Sequence, residues 1–150
     1  MDMNGEYRLP ARREVVWAAL NDPEMLKACI PGCQALSKTG DNQMAAMVTL
    51  KIGPMKASFN GEVRLENINA PESYTIAGEG KGGIAGFAKG NANVSLAEQH
   101  DETILSYQVE AQIGGKMAQL GARLIDSTAR KLAGQFFDEF ARRISAIEHI

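Results

Sequence analysis

From Met44 to Ile113 the apolar residues recur at every second position. Met44, Ala46, Val48, Leu50 and Ile52 alternate with more polar neighbours. After a Gly53-Pro54 turn, Met55, Ala57, Phe59, Val63 and Leu65 fall on one face, with Gly61 between them. Tyr74, Ile76, Gly78 and Gly80 follow the break at Asn69-Ala70-Pro71. Ala88, Gly90, Ala92, Val94 and Leu96 then oppose Lys89, Asn91, Asn93 and Ser95. Leu105, Tyr107, Val109, Ala111 and Ile113 close the series after a His100-Asp101 turn. Consecutive strands with short turns and a single apolar face predict an antiparallel meander. Such a sheet has to be covered on that face.

The cover follows directly. After Gly114-Gly115, the stretch from Lys116 to Ala146 has no proline and only two glycines. As one helix it would be roughly 45 Å long. Met117, Leu120, Leu124, Thr128, Leu132, Phe136, Phe140 and Ile144 form its apolar stripe. Asp126 with Arg130, Asp138 with Arg142 and Glu139 with Arg143 are spaced for i,i+4 ion pairs, and the last two arginines suit the negative end of the helix dipole.

Ahead of the meander the period is helical. Glu6 to Leu9 closes a first strand, and Pro10 suits the first turn of a helix carrying Val15, Val16, Trp17, Ala19 and Leu20. Asn21-Asp22-Pro23 stops it. Asp22 is placed to cap a second helix near Glu24–Cys29, with Pro23 at its first position, and Pro31-Gly32 turns the chain out of it. The order is strand, two short helices, a run of strands and one long helix: an α+β domain over residues 1–150, with no linker or repeat.

Composition narrows function. A domain of 150 residues buries roughly 70% of its unfolded surface and needs no disulfide or metal to fold. A net charge of −2 and a pI of about 5.7 argue against nucleic-acid binding, and no block of like charge stands out. The first residues lack a secretory signal, no stretch approaches the roughly 20 apolar residues of a membrane span, and two cysteines are too few for a disulfide framework. A cytoplasmic protein with reduced thiols is expected.

The small residues predict a hollow. Gly78, Gly80, Ala88, Gly90 and Ala92 give two successive strands almost no inward volume. A close-packed interior would need large partners opposite them, and glycines also let a sheet curve. The alternative is a helix lying directly on this floor. The expected cavity lining is Val48, Leu50, Phe59 and Ile76, with Gly78, Gly90 and Ala92 on the floor, Tyr107 beside them, and Met117, Leu120, Leu124 and Thr128 from the helix. Tyr107 and Thr128 are candidate polar handles in a cavity suited to a hydrophobic ligand. The long helix would be one wall, with helix or glycine-rich segment as gate.

Catalytic and metal chemistry find little support. Gly78, Gly80 and Gly83 match the spacing G-x-G-x-x-G, but a strand pattern rather than a helix follows. Cys29 and Cys33 offer two ligands where a structural zinc site uses four, and His100 and His149 are far away in sequence. Glu62, Glu66, Glu79 and Glu110 fall on the polar faces of their strands. No catalytic residue, metal or cofactor is expected.

The order of elements resembles the START-like, helix-grip (SRPBCC) superfamily. Val16-Trp17-Ala18-Ala19-Leu20-Asn21-Asp22-Pro23, Cys29-Ile30-Pro31-Gly32-Cys33, Gly78-Glu79-Gly80-Lys81-Gly82-Gly83 and Gly86-Phe87-Ala88-Lys89-Gly90 are similar to the CoxG family, the G-type subunits of carbon monoxide dehydrogenase. The resemblance implies a seven-stranded antiparallel sheet curved around a long C-terminal helix, enclosing a hydrophobic cavity. It implies a non-catalytic accessory protein that carries a lipid or quinone, or recruits a molybdenum hydroxylase of the CO dehydrogenase type to the inner face of the cytoplasmic membrane. The alternatives are a docking module with a filled core, contacting its partner through Met25, Leu26 and Phe87, and a cyclase- or hydrolase-type enzyme.

Overall fold

The computed structural model describes residues 1–148; His149 lies outside them. Seven strands form one antiparallel sheet in the order β1-β7-β6-β5-β4-β3-β2. They are β1 (Asp2–Leu9), β2 (Cys33–Gly40), β3 (Gln43–Ile52), β4 (Met55–Asn69), β5 (Ser73–Lys81), β6 (Phe87–Gln99) and β7 (Glu102–Gly114). Helices α1 (Arg13–Leu20) and α2 (Pro23–Cys29) link the two edge strands, and α3 (Ala122–Glu148) crosses the apolar face. α3 touches α1, α2, β1 and β3.

The five strands read from alternation are β3 to β7, and the register keeps their apolar sets on one side: Val63, Gly78, Gly90 and Ala111 stand in one row across β4–β7. β2 has no such pattern. It is an edge strand whose residues are mostly exposed, so burial imposes no alternation on it. Two irregularities in its pairing with β3, at Cys33/Ala35 and Lys38/Gly40, bend that edge.

The helix ends follow local chemistry. Asp22 Oδ1 accepts from Glu24 N at 3.0 Å and Pro23 opens α2, as expected. Pro10, by contrast, lies outside α1, which starts only at Arg13. At the turn after α2, Gly32 has φ +74°, and a Cβ there would sit 2.0 Å from the Thr49 carbonyl oxygen. Only glycine allows this close approach.

The long helical stretch is divided. Lys116–Leu120 is a 3₁₀ turn, and Gly121, at φ +96°, separates it from α3. The continuous helix therefore has 27 residues, about 40 Å at 1.5 Å per residue. Arg130 pairs with Asp126 at 2.9 Å and Arg143 with Glu139 at 2.7 Å. Arg142 bonds to Glu139, three residues back, in place of the expected Asp138.

The main core lies where α1 and the C-terminal half of α3 meet the sheet. Leu9, Val16, Leu105, Phe140 and Ile144 are essentially fully buried there. Each such side chain contributes roughly 1.5–3 kcal/mol by leaving water. Thr103, also fully buried, donates its hydroxyl to the Ala11 carbonyl at 2.8 Å, so its polar atom is satisfied. A smaller cluster of Ile52, Phe59, Ala85 and Met117 closes the opposite end.

Candidate functional site: an apolar hollow under the long helix

Between the sheet and α3 lie two connected lobes. The first, ≈ 360 Å³, is roofed by Leu20, Leu26 and Ile30 with Phe136 and Phe137, over Met44, Val63, Ile76 and Val94. The second, ≈ 410 Å³, lies under Ile125, Thr128, Ala129 and Leu132, over Leu50, Phe59, Gly80, Ala88 and Ile113. Ile30, Val48 and Gly61 border both. Each lobe reaches the size at which small-molecule sites begin, about 300 Å³. A ≈ 970 Å³ trough on the other face of the sheet is larger, but it is rimmed by Glu62, Arg64, Lys89 and Glu110 and offers an apolar molecule little.

The void exists because small faces small. Gly61, Gly80, Ala88 and Ala111 on the sheet share the second lobe with Thr128 and Ala129 on the helix. A Cβ added to Gly80 would meet nothing within 4 Å. At Gly78 it would lie 2.9 Å from Val63 Cγ1, and at Gly90 2.0 Å from the Glu110 carbonyl oxygen. Of these three inward glycines, Gly80 alone opens onto empty space; the other two fit their neighbours.

The electrostatics of the walls are uniform. No charged side chain lines either lobe. Tyr74, 5% exposed, packs edge-on against Trp17 at 5.2 Å, and burial pushes its hydroxyl pKa well up, keeping it neutral. Cys29 is buried with its thiol 3.8 Å from Met25 Sδ, and Cys33 donates to the Ala35 carbonyl at 3.4 Å. Desolvation raises both thiol pKa values, the opposite of an activated nucleophile. No group of three or more His, Cys, Asp or Glu converges among the described residues. Gly78 and Gly80 lie in β5, and Gly83 begins a three-residue 3₁₀ turn before β6. That hairpin is not the strand-to-helix turn of a dinucleotide site.

A model of the CoxG family, the G-type subunits of carbon monoxide dehydrogenase, matches residues 5–145. The chain belongs to that family. A conserved protein from Geobacillus kaustophilus shares 29% identity over 97% of this chain and 96% of its own, with a TM-score of 0.92. A START superfamily protein from Mycobacterium smegmatis superposes with a TM-score of 0.72 at 13% identity, covering 97% of this chain and 98% of its own. An aromatase/cyclase from a Streptomyces species does so with 0.68 at 8%, covering 97% and 93%; at these identities the likeness is one of fold. No curated protein matches the sequence.

In this CoxG-family chain, Val48, Leu50, Phe59, Ile76, Met117 and Thr128 border the hollow. Gly78, Gly90, Ala92, Tyr107, Leu120 and Leu124 do not. Tyr107 is drawn to the sheet edge, where its ring faces Phe137 with centroids 5.8 Å apart and its hydroxyl occupies the space a Cβ on Gly5 would need. Leu120 packs in the small end cluster, and Leu124 Cδ2 lies against Gly53 of the β3–β4 turn. Ile125 and Ala129 take the place expected of Leu124. A stripe drawn every four residues rotates by about 40° per step on a 3.6-residue helix, so its N-terminal end is out of phase with the C-terminal anchors. The roof from α1 and α2 had a weaker signal, the apolar Leu20, Leu26 and Ile30. Met25 and Leu26 are half-buried, Leu26 within the roof, so of the three residues expected in a docking contact only Phe87 is exposed. No helix among the described residues is long and apolar enough to cross a membrane.

Proposed function

We propose that the chain is a non-catalytic carrier that holds one neutral, largely apolar molecule, a quinone or an uncharged lipid, in the two-lobed hollow. It would serve a molybdenum hydroxylase of the CO dehydrogenase type, the association that the family's name suggests. The observation that carries this reading is the wall chemistry: hydrocarbon throughout, with Thr128 and the neutral Tyr74 as polar exceptions and no charged side chain. A carboxylate or phosphate placed there would lack a counter-ion, at a cost of several kcal/mol, so a charged headgroup is disfavoured inside. Binding would be driven by apolar burial at roughly 25 cal/mol per Å², less ordering costs.

The test is native mass spectrometry of gently purified protein, before and after organic extraction, with Gly80→Leu as the filled variant. A discrete adduct lost on extraction, and weakened at least about tenfold in Gly80→Leu (about 1.4 kcal/mol), supports the carrier. An unchanged apo mass after incubation with quinones and neutral lipids overturns it in favour of a docking module.

A further inference from the structure

We propose that the end of the molecule formed by the β3–β4 turn, the β5–β6 loop and the 3₁₀ turn before α3 is a docking face for an anionic lipid bilayer. These three segments are remote in sequence. They meet because the meander returns to the same end each time, and Ile52, Phe59, Ala85 and Met117 pack them into one cluster.

Two independent features mark this end. The first is apolar exposure without a partner. Ile84, at the tip of the β5–β6 loop, is 87% exposed, and Phe87 beside it is 39% exposed. The second is charge. Residues 49–61, 80–97 and 111–125 hold six of the chain's 16 basic residues and none of its 18 acidic ones. The rest of the chain is correspondingly acidic. Lys51 and Lys56 stand directly opposite each other across the β3–β4 hairpin, an arrangement that destabilises a hairpin in isolation. Lys81, with its side chain 74% exposed, lies 3.8 Å from Glu79, and Lys89 faces Glu79 across the strands. Lys116 and Arg123 are exposed. Asp2, Glu79 and Asp126 border the face, and Asp126 is held by Arg130.

A protruding isoleucine ringed by lysines suits the headgroup region of an anionic bilayer, where the apolar tip inserts and the cations meet lipid phosphates. An acidic protein would satisfy the cations, but one isoleucine and part of a phenylalanine fall far short of a stable interface of about 800 Å² per partner. Position also favours lipid. Ile52, Phe59 and Met117 line the second lobe and belong to the same cluster as Ala85, next to Ile84. This last point rests on the carrier reading; the exposure and the charge do not.

Vesicle co-sedimentation of the full chain tests the proposal, using phosphatidylcholine alone and phosphatidylcholine mixed with phosphatidylglycerol. Binding is expected only to the mixed vesicles and is lost at high salt. Ile84→Glu and the Lys51→Glu/Lys56→Glu pair should each lower partitioning by about an order of magnitude or more. Ile68→Glu, which alters an exposed residue at the opposite end of β4, should leave it unchanged, with circular dichroism confirming that all variants fold. Gly80→Leu should sediment like the unaltered chain, which separates this face from the ligand-holding hollow. No binding to mixed vesicles at low salt, or an equal loss in Ile68→Glu, overturns the proposal; binding of the same lysine face to an acidic protein in place of vesicles would do so too.

Discussion

The two ends of α3 rest on the same sheet in different ways. Toward its C-terminus, Phe140 and Ile144 are fully buried against Leu9, Val16 and Leu105, and Phe136 stacks on Phe140 at 5.7 Å. Toward its N-terminus, Thr128 and Ala129 look across a void at Gly80, Ala88 and Ala111. One helix is thus both the keystone of a packed core and the lid of an empty one. The difference lies in side-chain volume, since both ends use the same backbone geometry. Stability and binding capacity are placed at opposite ends of one element.

The largest expected effect should separate the two ends. Phe140→Ala removes a fully buried ring at the packed end and should cost about 3–5 kcal/mol, read from urea denaturation. Met117→Ala borders a hollow that is already open, and should fall at or below about 2 kcal/mol, the low end for such truncations. Equal costs would mean that the second lobe is as tightly packed as the core. A finer version compares two inward glycines. Gly90→Ala drives a methyl group onto the Glu110 carbonyl and should destabilise by about 1–3 kcal/mol. Gly80→Ala enters open space and should be neutral or stabilising by up to about 1 kcal/mol. Thermal unfolding of both variants decides this, and a loss at Gly80 would mean that the lobe is filled.

The smallest effect is a dependence on alkali. Desolvation raises the pKa of Cys29 from 9.0 and that of Tyr74 from 10.0. Above these values the unfolded chain sheds protons that the native state keeps, so it binds fewer protons and stability falls as pH rises. Below about pH 9 the contribution is fully present. Denaturation midpoints should therefore hold steady from neutral pH to about 9 and then decline. A rise above that pH would place the Tyr74 hydroxyl in a solvated site.

Much of the fold is legible in the sequence, because burial on one face forces a period on it. The alternation of β3–β7 and the Asp22-Pro23 start of α2 are clear for that reason or for equally local ones. β2 is not, since nothing presses on its faces. The division at Gly121 is hidden because glycine inside an apolar pattern is compatible with a helix as well as with a break. The site is legible only as far as parity reaches. Parity puts Gly78, Gly80 and Gly90 on the same side, yet whether a glycine leaves a void depends on Val63 and on the backbone of β7, which no pattern in β5 or β6 records. The basic end is invisible for a related reason: its six cations form no run in the sequence, and only the returning turns assemble them.

The one-sided anchoring of α3 makes it a cantilever. Ile125 lies 15 to 19 residues from the clamp at Phe140 and Ile144, a lever arm of about 22–29 Å. A tilt of about 5° at the clamp would lift that end by about 2 Å over such an arm, while the residues at the pivot hardly move. Gly121 uncouples the lifted end from the 3₁₀ turn before it, so the motion need not drag the sheet along. The mechanical compliance of the hollow is therefore set by residues that never touch its contents.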